Sequence, residues 1–301
     1  MYIINIEEMK TRLGKIKDIP TLPVIVVEIN KMLADDMTGV DLLSQTLEKD
    51  QSIITKLLKL VNSSFFGVRS KVTTVHEAVV RMGINSVRNV VASVSLFDAL
   101  HLDSESDLSF NIEDLWDHSV AVAITSRHLS EQSGIQDPDD CFVSGLLHDI
   151  GLILLARFFP DILSILLQHM IEENISIYDA EKSMIPVGHN RLGEMLARKW
   201  QLPQAICETL KYHHTPIKHA ANPELLSVVH TADLITRRFI ISSINPKKDE
   251  TQPNLSCLKP YSAKKLEFLY QSAETWFPDV RESIREACDF FIKNKEALPN
   301  E

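Results

Sequence analysis

The sequence predicts an all-α protein: a multi-helix bundle with an N-terminal helical subdomain, a second helical half and a C-terminal helical appendage. Three observations carry this. Apolar residues recur at helical spacing through most of the 301 residues, and no segment alternates apolar and polar residues as a half-buried strand does. There are only nine glycines and the last is Gly193, so residues 194–301 contain none; strand-rich folds need more turn glycine than that. Hydrophobic residues make up 45% and charged residues 24%, a balance that supports a packed core and excludes a disordered chain.

The elements follow in order. Pro20-Thr21-Leu22-Pro23 is a helix entrance, and Val24, Val27, Ile29 and Leu33 follow at near-helical spacing. Asp35-Asp36-Met37-Thr38-Gly39 breaks that helix, and Asp41 can cap the next. Asp50 caps an amphipathic stretch in which Ile53, Ile54, Leu57, Leu58, Leu60 and Val61 point inward while Lys56 and Lys59 point out. It stops at Asn62-Ser63-Ser64-Phe65-Phe66-Gly67, which reads as a helix C-cap and turn packed by two phenylalanines. Helices over 76–82 and 85–101 come next, and the acidic stretch Asp103 to Asp107 separates the halves. The second half carries helices near 113–132, 139–158, 160–173, 176–184, 188–199, 203–212 and 223–240. Asp137-Pro138-Asp139-Asp140 is a strong helix start, with proline and acids in the first turn. Ser242 to Pro260 is polar and holds Pro246, Pro253 and Pro260, so it reads as a linker or long loop. Leu266, Leu269, Phe277, Ile284, Cys288 and Phe291 then restore helical spacing. The domain reading is 15–240 for the main body (15–102 and 110–240), 241–260 for the linker and 261–301 for the appendage.

The net charge of −10 argues against a nucleic-acid partner, since phosphate contacts need clustered Lys and Arg. The N-terminal MYIINIEEMK lacks a basic region followed by an apolar one, so no signal peptide is expected. The longest apolar run, Ile150 to Ala156, is far short of the roughly 20 residues of a membrane span. A cytoplasmic protein without a membrane partner is expected. Cys141, Cys207, Cys257 and Cys288 form no Cys-x-x-Cys pair, and the helical ones read as small core residues.

The chemistry lies in a few polar residues set among apolar helices. His148-Asp149 falls inside Cys-Phe-Val-Ser-Gly-Leu-Leu-His-Asp-Ile-Gly-Leu-Ile-Leu-Leu. A buried unpaired carboxylate is costly, so a cation must compensate Asp149: either a metal that takes imidazole nitrogen and carboxylate oxygen, or a neighbouring basic residue. His118, His189, the pair His213-His214 and Asp233 follow on separate helical segments. A lone histidine carries little weight; five in this order with two aspartates carry more. His128, His219 and His230 fall outside the pattern and read as ordinary.

These residues carry a family resemblance. The order His118, His148-Asp149, Asp233 resembles the HD superfamily of metal-dependent phosphohydrolases, and His189, His213 and His214 resemble the longer ligand set of the HD-GYP phosphodiesterases. Leu22-Pro23, Asn62 to Gly67, Glu77-Ala78-Val79-Val80-Arg81-Met82-Gly83-Ile84, Arg88-Asn89, Leu147 to Gly151, Trp200-Gln201-Leu202-Pro203 and Tyr212-His213-His214 closely resemble HDOD domains, over roughly residues 15–240. The resemblance implies an HD-domain-like bundle in a bacterial signalling protein that is regulatory rather than hydrolytic. It also implies His118, His148, Asp149, His189, His213, His214 and Asp233 as ligands for one or two divalent ions. Mixed imidazole and carboxylate ligation suits Fe, Mn or Zn better than Mg or Ca.

Two departures count against hydrolysis. HD-GYP enzymes follow His-Asp-Ile-Gly with a lysine that meets phosphate, and Leu152 stands there; the Gly-Tyr-Pro loop after the paired histidines is absent. Three readings of the polar set stay open: a structural metal site, a hydrolase of different substrate using cations such as Arg191 or Lys211, and a metal-free hydrogen-bonded cluster. The expected partner is a protein of a signalling pathway, with a nucleotide as a further candidate ligand. The alternative function is a phosphohydrolase acting on a nucleotide or cyclic dinucleotide.

Overall fold

The computed structural model describes residues 4–15, 27–28, 39–62, 72–84, 87, 91, 111–242, 244 and 246–292. Fourteen helices lie in them: α1 (Ile6–Lys15), α2 (Val40–Leu47), α3 (Gln51–Val61), α4 (Val75–Met82), α5 (Ile112–Ser133), α6 (Pro138–Leu147), α7 (Ile150–Phe158), α8 (Pro160–Glu173), α9 (Ile177–Met184), α10 (His189–Lys199), α11 (Gln204–Tyr212), α12 (Pro223–Phe239), α13 (Pro260–Gln271) and α14 (Ala273–Ile292). No β-strand occurs among the described residues. Most of the expected helix after Pro23, the segment Ser63 to Gly67, most of 85–101 with Arg88-Asn89, and Asp103 to Asp107 lie outside them.

The chain falls into two compact units, Met1–Ile19 with Leu102–Thr275, and Pro20–His101 with Trp276–Glu301. In the latter, Asp50 accepts from the Ile53 N–H at 3.1 Å, as its position before an amphipathic helix predicts. The Asn62 side chain donates to the carbonyls of Leu58 and Val72 and accepts from the Val72 N–H, each at 2.6 Å. Thr74 caps α4 by accepting from Glu77 N–H at 3.1 Å, while Glu77 reaches back to the Thr73 N–H at 2.8 Å, a reciprocal capping box one residue displaced.

The larger unit is built around α5, which packs on α6 and α12. Asn111 caps its start and Gly134, at φ 64°, ends it by donating to the Ser130 carbonyl. Buried residues occupy most of its turns from Leu115 to Leu129, as befits a helix with neighbours on several sides. Asp137 opens α6 by accepting from the N–H groups of Asp139 and Asp140 at 2.9 and 3.2 Å. Pro138–Phe158 has the length and apolar content of a membrane span, but 89% of the apolar window is buried within the protein. The single helix expected over 139–158 is two helices. At Asp149 the backbone leaves helical geometry (φ −102°, ψ 13°), and the Leu152 N–H bonds the Asp149 carbonyl at 2.9 Å, so the ladder restarts at the His-Asp pair.

Gly151 sits in the first turn of α7, where that helix meets the start of α10. A β-carbon there would overlap the His189 carbonyl oxygen, so only glycine lets these two helix ends approach. α10 also packs on α11. The appendage expected from residue 261 begins as α13, which packs on α12 and α5.

Candidate metal centre

The bundle brings all seven expected ligands together at helix ends and inner faces. His118 projects from α5, His148 closes α6 and Asp149 precedes α7. His189 opens α10, His213 and His214 follow α11, and Asp233 lies on α12. His148, His189 and His213 are fully buried, and Asp149 and Asp233 nearly so.

Asp149 is the hub. Its Oδ1 lies 3.2 Å from His189 Nε2 and 3.3 Å from His213 Nε2, while its Oδ2 lies 3.2 Å from His148 Nε2 and 3.6 Å from His118 Nε2. Asp233 Oδ1 completes the second group at 3.3 Å from His118 Nε2 and 4.0 Å from His148 Nε2. Two donor sets result, Asp149-His189-His213-His214 and His118-His148-Asp149, each with ligand atoms within 4.8 Å of one another. His214 is placed differently from the rest. Its Nε2 is 3.0 Å from His189 Nε2, its Nδ1 is 3.9 Å from Asp233 Oδ2, and its ring stacks on Tyr178 at 4.2 Å.

The convergence of Nε2 atoms has a local cause. His148 Nδ1 meets the Gly145 carbonyl at 2.7 Å and His213 Nδ1 meets the Leu210 carbonyl at 2.8 Å, each three residues back along its own helix end. His189 Nδ1 meets Glu181 Oε2 at 2.7 Å, and the same oxygen accepts the His189 backbone N–H at 3.1 Å. With Nδ1 occupied in each ring, Nε2 is left for the interior, the usual arrangement around a metal-ligating imidazole.

Electrostatics point the same way. Burial raises the Asp149 carboxyl, but attraction to His148 and the close imidazole nitrogens of His148, His189 and His213 outweigh it and hold the group well below the carboxylate range. Asp233 behaves alike, with Arg237 and His118 overcoming its burial. Burial lowers His189, yet Glu181 and Asp149 lift it to about 10. His148 is raised in the same sense, by Asp149 and Asp233 against its burial. Burial dominates at His213 and His214 and keeps both imidazoles neutral. His148 Nε2 and Asp149 Oδ1 are buried without a hydrogen bond of good geometry. A polar core of ionised carboxylates and inward-facing imidazole nitrogens fits a divalent cation, and the His/Asp cluster suggests a divalent metal site.

A cavity of about 360 Å³ opens onto one side of this centre, reaching His118, Asp149, His214 and Asp233. Tyr178, Arg237 and Lys247 also line it. Four residues of this neighbourhood escaped the sequence reading. Glu181 resembles any acid of an amphipathic helix, and nothing local marks it as buried. Arg237 stands four residues after Asp233, a helical-neighbour spacing that does signal contact; their atoms are 3.1 Å apart. Asp249, in the expected linker, takes the other side of Arg237 at 3.0 Å. His230, read as ordinary, holds the His213 carbonyl at 2.6 Å.

Comparison with known proteins bears on the fold. An uncharacterized protein of Treponema pallidum (strain Nichols) is 28% identical over 284 residues, covering 91% of this chain and 53% of the relative, so the chain spans about half that relative's length. A solved HDOD domain protein of unknown function from Geobacter sulfurreducens superposes with a TM-score of 0.74 at 22% identity, over 92% of this chain and 96% of that one. An inferred phosphohydrolase from Shewanella amazonensis SB2B gives 0.64 at 21% identity, over 93% and 97%. An inferred signal transduction protein from Marinobacter aquaeolei VT8 gives 0.69 at 17% identity, over 94% and 65%. At such identities the likeness speaks for the all-α HD-like fold. The HDOD domain family itself matches residues 19–216, and with most of its length matched the chain belongs to the HDOD family.

Proposed function

We propose that this HDOD chain is a regulatory signal-transduction module. Its HD-like half holds one or two ions of Fe, Mn or Zn, and its N-terminal helical half presents a surface to a partner protein in the cytoplasm. The observation that carries the metal reading is the division of Asp149, whose two oxygens face two separate imidazole sets. His118, His148 and Asp233 would hold one ion, His189, His213 and His214 the other, with Asp149 shared. A bound ion of this kind supplies Lewis acidity and lowers the pKa of a coordinated water. Here its main contribution is stability, because an ion that binds only the folded chain favours it by mass action.

Two features favour regulation over hydrolysis. Leu152 is fully buried and does not line the cavity, so nothing at that position can meet a phosphate. Arg191 and Lys211, the cations considered as substitutes, pair with Glu194 at 3.2 and 3.0 Å and do not line the cavity either. The phosphohydrolase reading keeps one observation of its own, the cavity that opens on both carboxylates beside Arg237 and Lys247.

The deciding measurement is elemental mass spectrometry on protein purified without chelators or a histidine tag. One or two equivalents of Fe, Mn or Zn, lost in the His148→Ala, Asp149→Ala variant, are expected. A metal-free protein whose thermal midpoint ignores added Fe, Mn or Zn would sink the reading. Turnover of phosphomono- or phosphodiesters by metal-loaded protein, abolished in the same variant, would replace it with the hydrolase.

A further inference from the structure

The segment after α12 runs beside the metal centre. Pro246, Lys247, Asp249 and Thr251 line the cavity that reaches Asp149 and Asp233. Two sets of contacts connect this segment to the residues read as ligands. The first passes through Arg237. Its Nη2 lies 3.1 Å from Asp233 Oδ2 and its Nη1 lies 3.0 Å from Asp249 Oδ2, and the Asp249 N–H donates to the Arg237 carbonyl at 3.2 Å. The second passes through His230. The Asn254 N–H donates to His230 Nε2 at 3.0 Å, so that nitrogen carries no proton. Nδ1 therefore carries it and donates to the His213 carbonyl at 2.6 Å. Both nitrogens of His230 are thereby used, and it is no ligand itself.

We infer that residues 246–256 form a strap belonging to the metal centre, with Arg237 and His230 as positioning residues that couple strap order to metal loading. The inference rests on the metal reading above. Its physical basis is charge and orientation. A buried guanidinium next to a ligand carboxylate repels an incoming cation and competes for the same oxygen, unless a second carboxylate neutralises it. Asp249 is that second carboxylate, and it comes from the strap. His230 fixes the peptide between His213 and His214, and with it the separation of two imidazoles that must share one side of the site. Partners of this outer kind commonly change metal affinity by about 10–100-fold. Because coupling is reciprocal, an ion that is held better with the strap in place must also hold the strap in place. A loop packed only for general stability has no reason to respond to metal.

The test uses the full chain and Zn²⁺ alone. Amide hydrogen exchange is followed over residues 246–256 with and without the ion, and Zn²⁺ affinity is measured by calorimetry for wild type, Asp249→Asn and Asn254→Pro. The second variant removes the donor to His230, and with it the bond from the Ser256 N–H to Asn254 Oδ1, and leaves every ligand intact. Zn²⁺ is expected to slow strap exchange, the Asn254 amide most of all, by about tenfold or more, and both variants are expected to bind Zn²⁺ about tenfold more weakly. Arg12→Gln, which breaks the pair with Asp161, neither residue lining the cavity, should leave the affinity unchanged and so separates site effects from general loosening. Wild-type binding with strap exchange indifferent to Zn²⁺ and unaltered affinity in both variants overturns the coupling while leaving the metal site standing. No binding by the wild type overturns both.

Discussion

Glu181 Oε2 stands 2.7 Å from His189 Nδ1 and 3.1 Å from the backbone nitrogen of the same residue, so one carboxylate oxygen fixes both the ring and the start of α10. Removing its charge while keeping its shape weakens the acceptor and lowers the basicity of the ring. Glu181→Gln should therefore bind Zn²⁺ about 10–100-fold more weakly than wild type. Calorimetry checks this, and an affinity within twofold of wild type counts against the assignment.

The shared carboxylate makes a sharper demand on stoichiometry. Asp149→Ala should abolish all metal, whereas His118→Ala and His213→Ala should each lower the content while leaving an ion in the opposite set. Elemental analysis of the three variants distinguishes this from a single site, in which every ligand variant loses the same fraction.

The titration pattern gives the metal-free protein a stability maximum. His189, raised to about 10, contributes stability that is complete below the unfolded value near 6.5 and is lost as pH climbs toward 10. His230, driven down to about 4 by its burial, acts in the opposite sense: its contribution is complete above 6.5 and disappears as pH falls toward 4. The thermal midpoint should peak near neutrality and fall on both sides.

Metal binding must displace the Nε2 proton that His189, raised to about 10, carries near pH 7, and any that the upward-shifted His148 holds. Loading should release roughly one or two protons and tighten as pH rises. Calorimetry in buffers of different ionisation enthalpy reads the number directly, and a heat independent of buffer contradicts the prediction.

Gly151→Ala should destabilise the fold by about 1–3 kcal/mol and lower metal affinity, because relieving the overlap at the His189 carbonyl separates α7 from α10. A denaturant melt gives the first quantity. Alanine at Gly14, where no atom lies within 4 Å of the added carbon, should cost nothing comparable.

Much of this was legible in the sequence because both periodicity and ligand order survive in one dimension. Asp137-Pro138 and Asp50 mark helix starts by local chemistry, and both act as caps in the structure. His118, His148, Asp149, His189, His213, His214 and Asp233 share a motif order that a family resemblance can carry, and the bundle brings them together. The break at His148-Asp149 was not legible. Apolar residues on both sides keep the helical period, and only a tertiary demand, the placing of two ligands between abutting helix ends, interrupts the ladder. Glu181, His230 and Asp249 were missed for a related reason. A polar residue that acts through another residue leaves no spacing of its own, and Asp249 lies in a proline-bearing stretch where polarity is expected.

The position of the ligands at helix ends has a consequence for how this domain can vary. His148, Asp149, His189 and His213 stand where helices begin or end, so the centre measures the separation of helix pairs rather than the surface of any one helix. A substitution on an outer face leaves that separation alone. A single inserted residue inside α7 or α10 rotates everything beyond it by about 100° and advances it by about 1.5 Å. That would turn the packed face away from its neighbour while leaving the ligand at the near end in place. Length, more than side-chain identity, is what these short helices have to conserve.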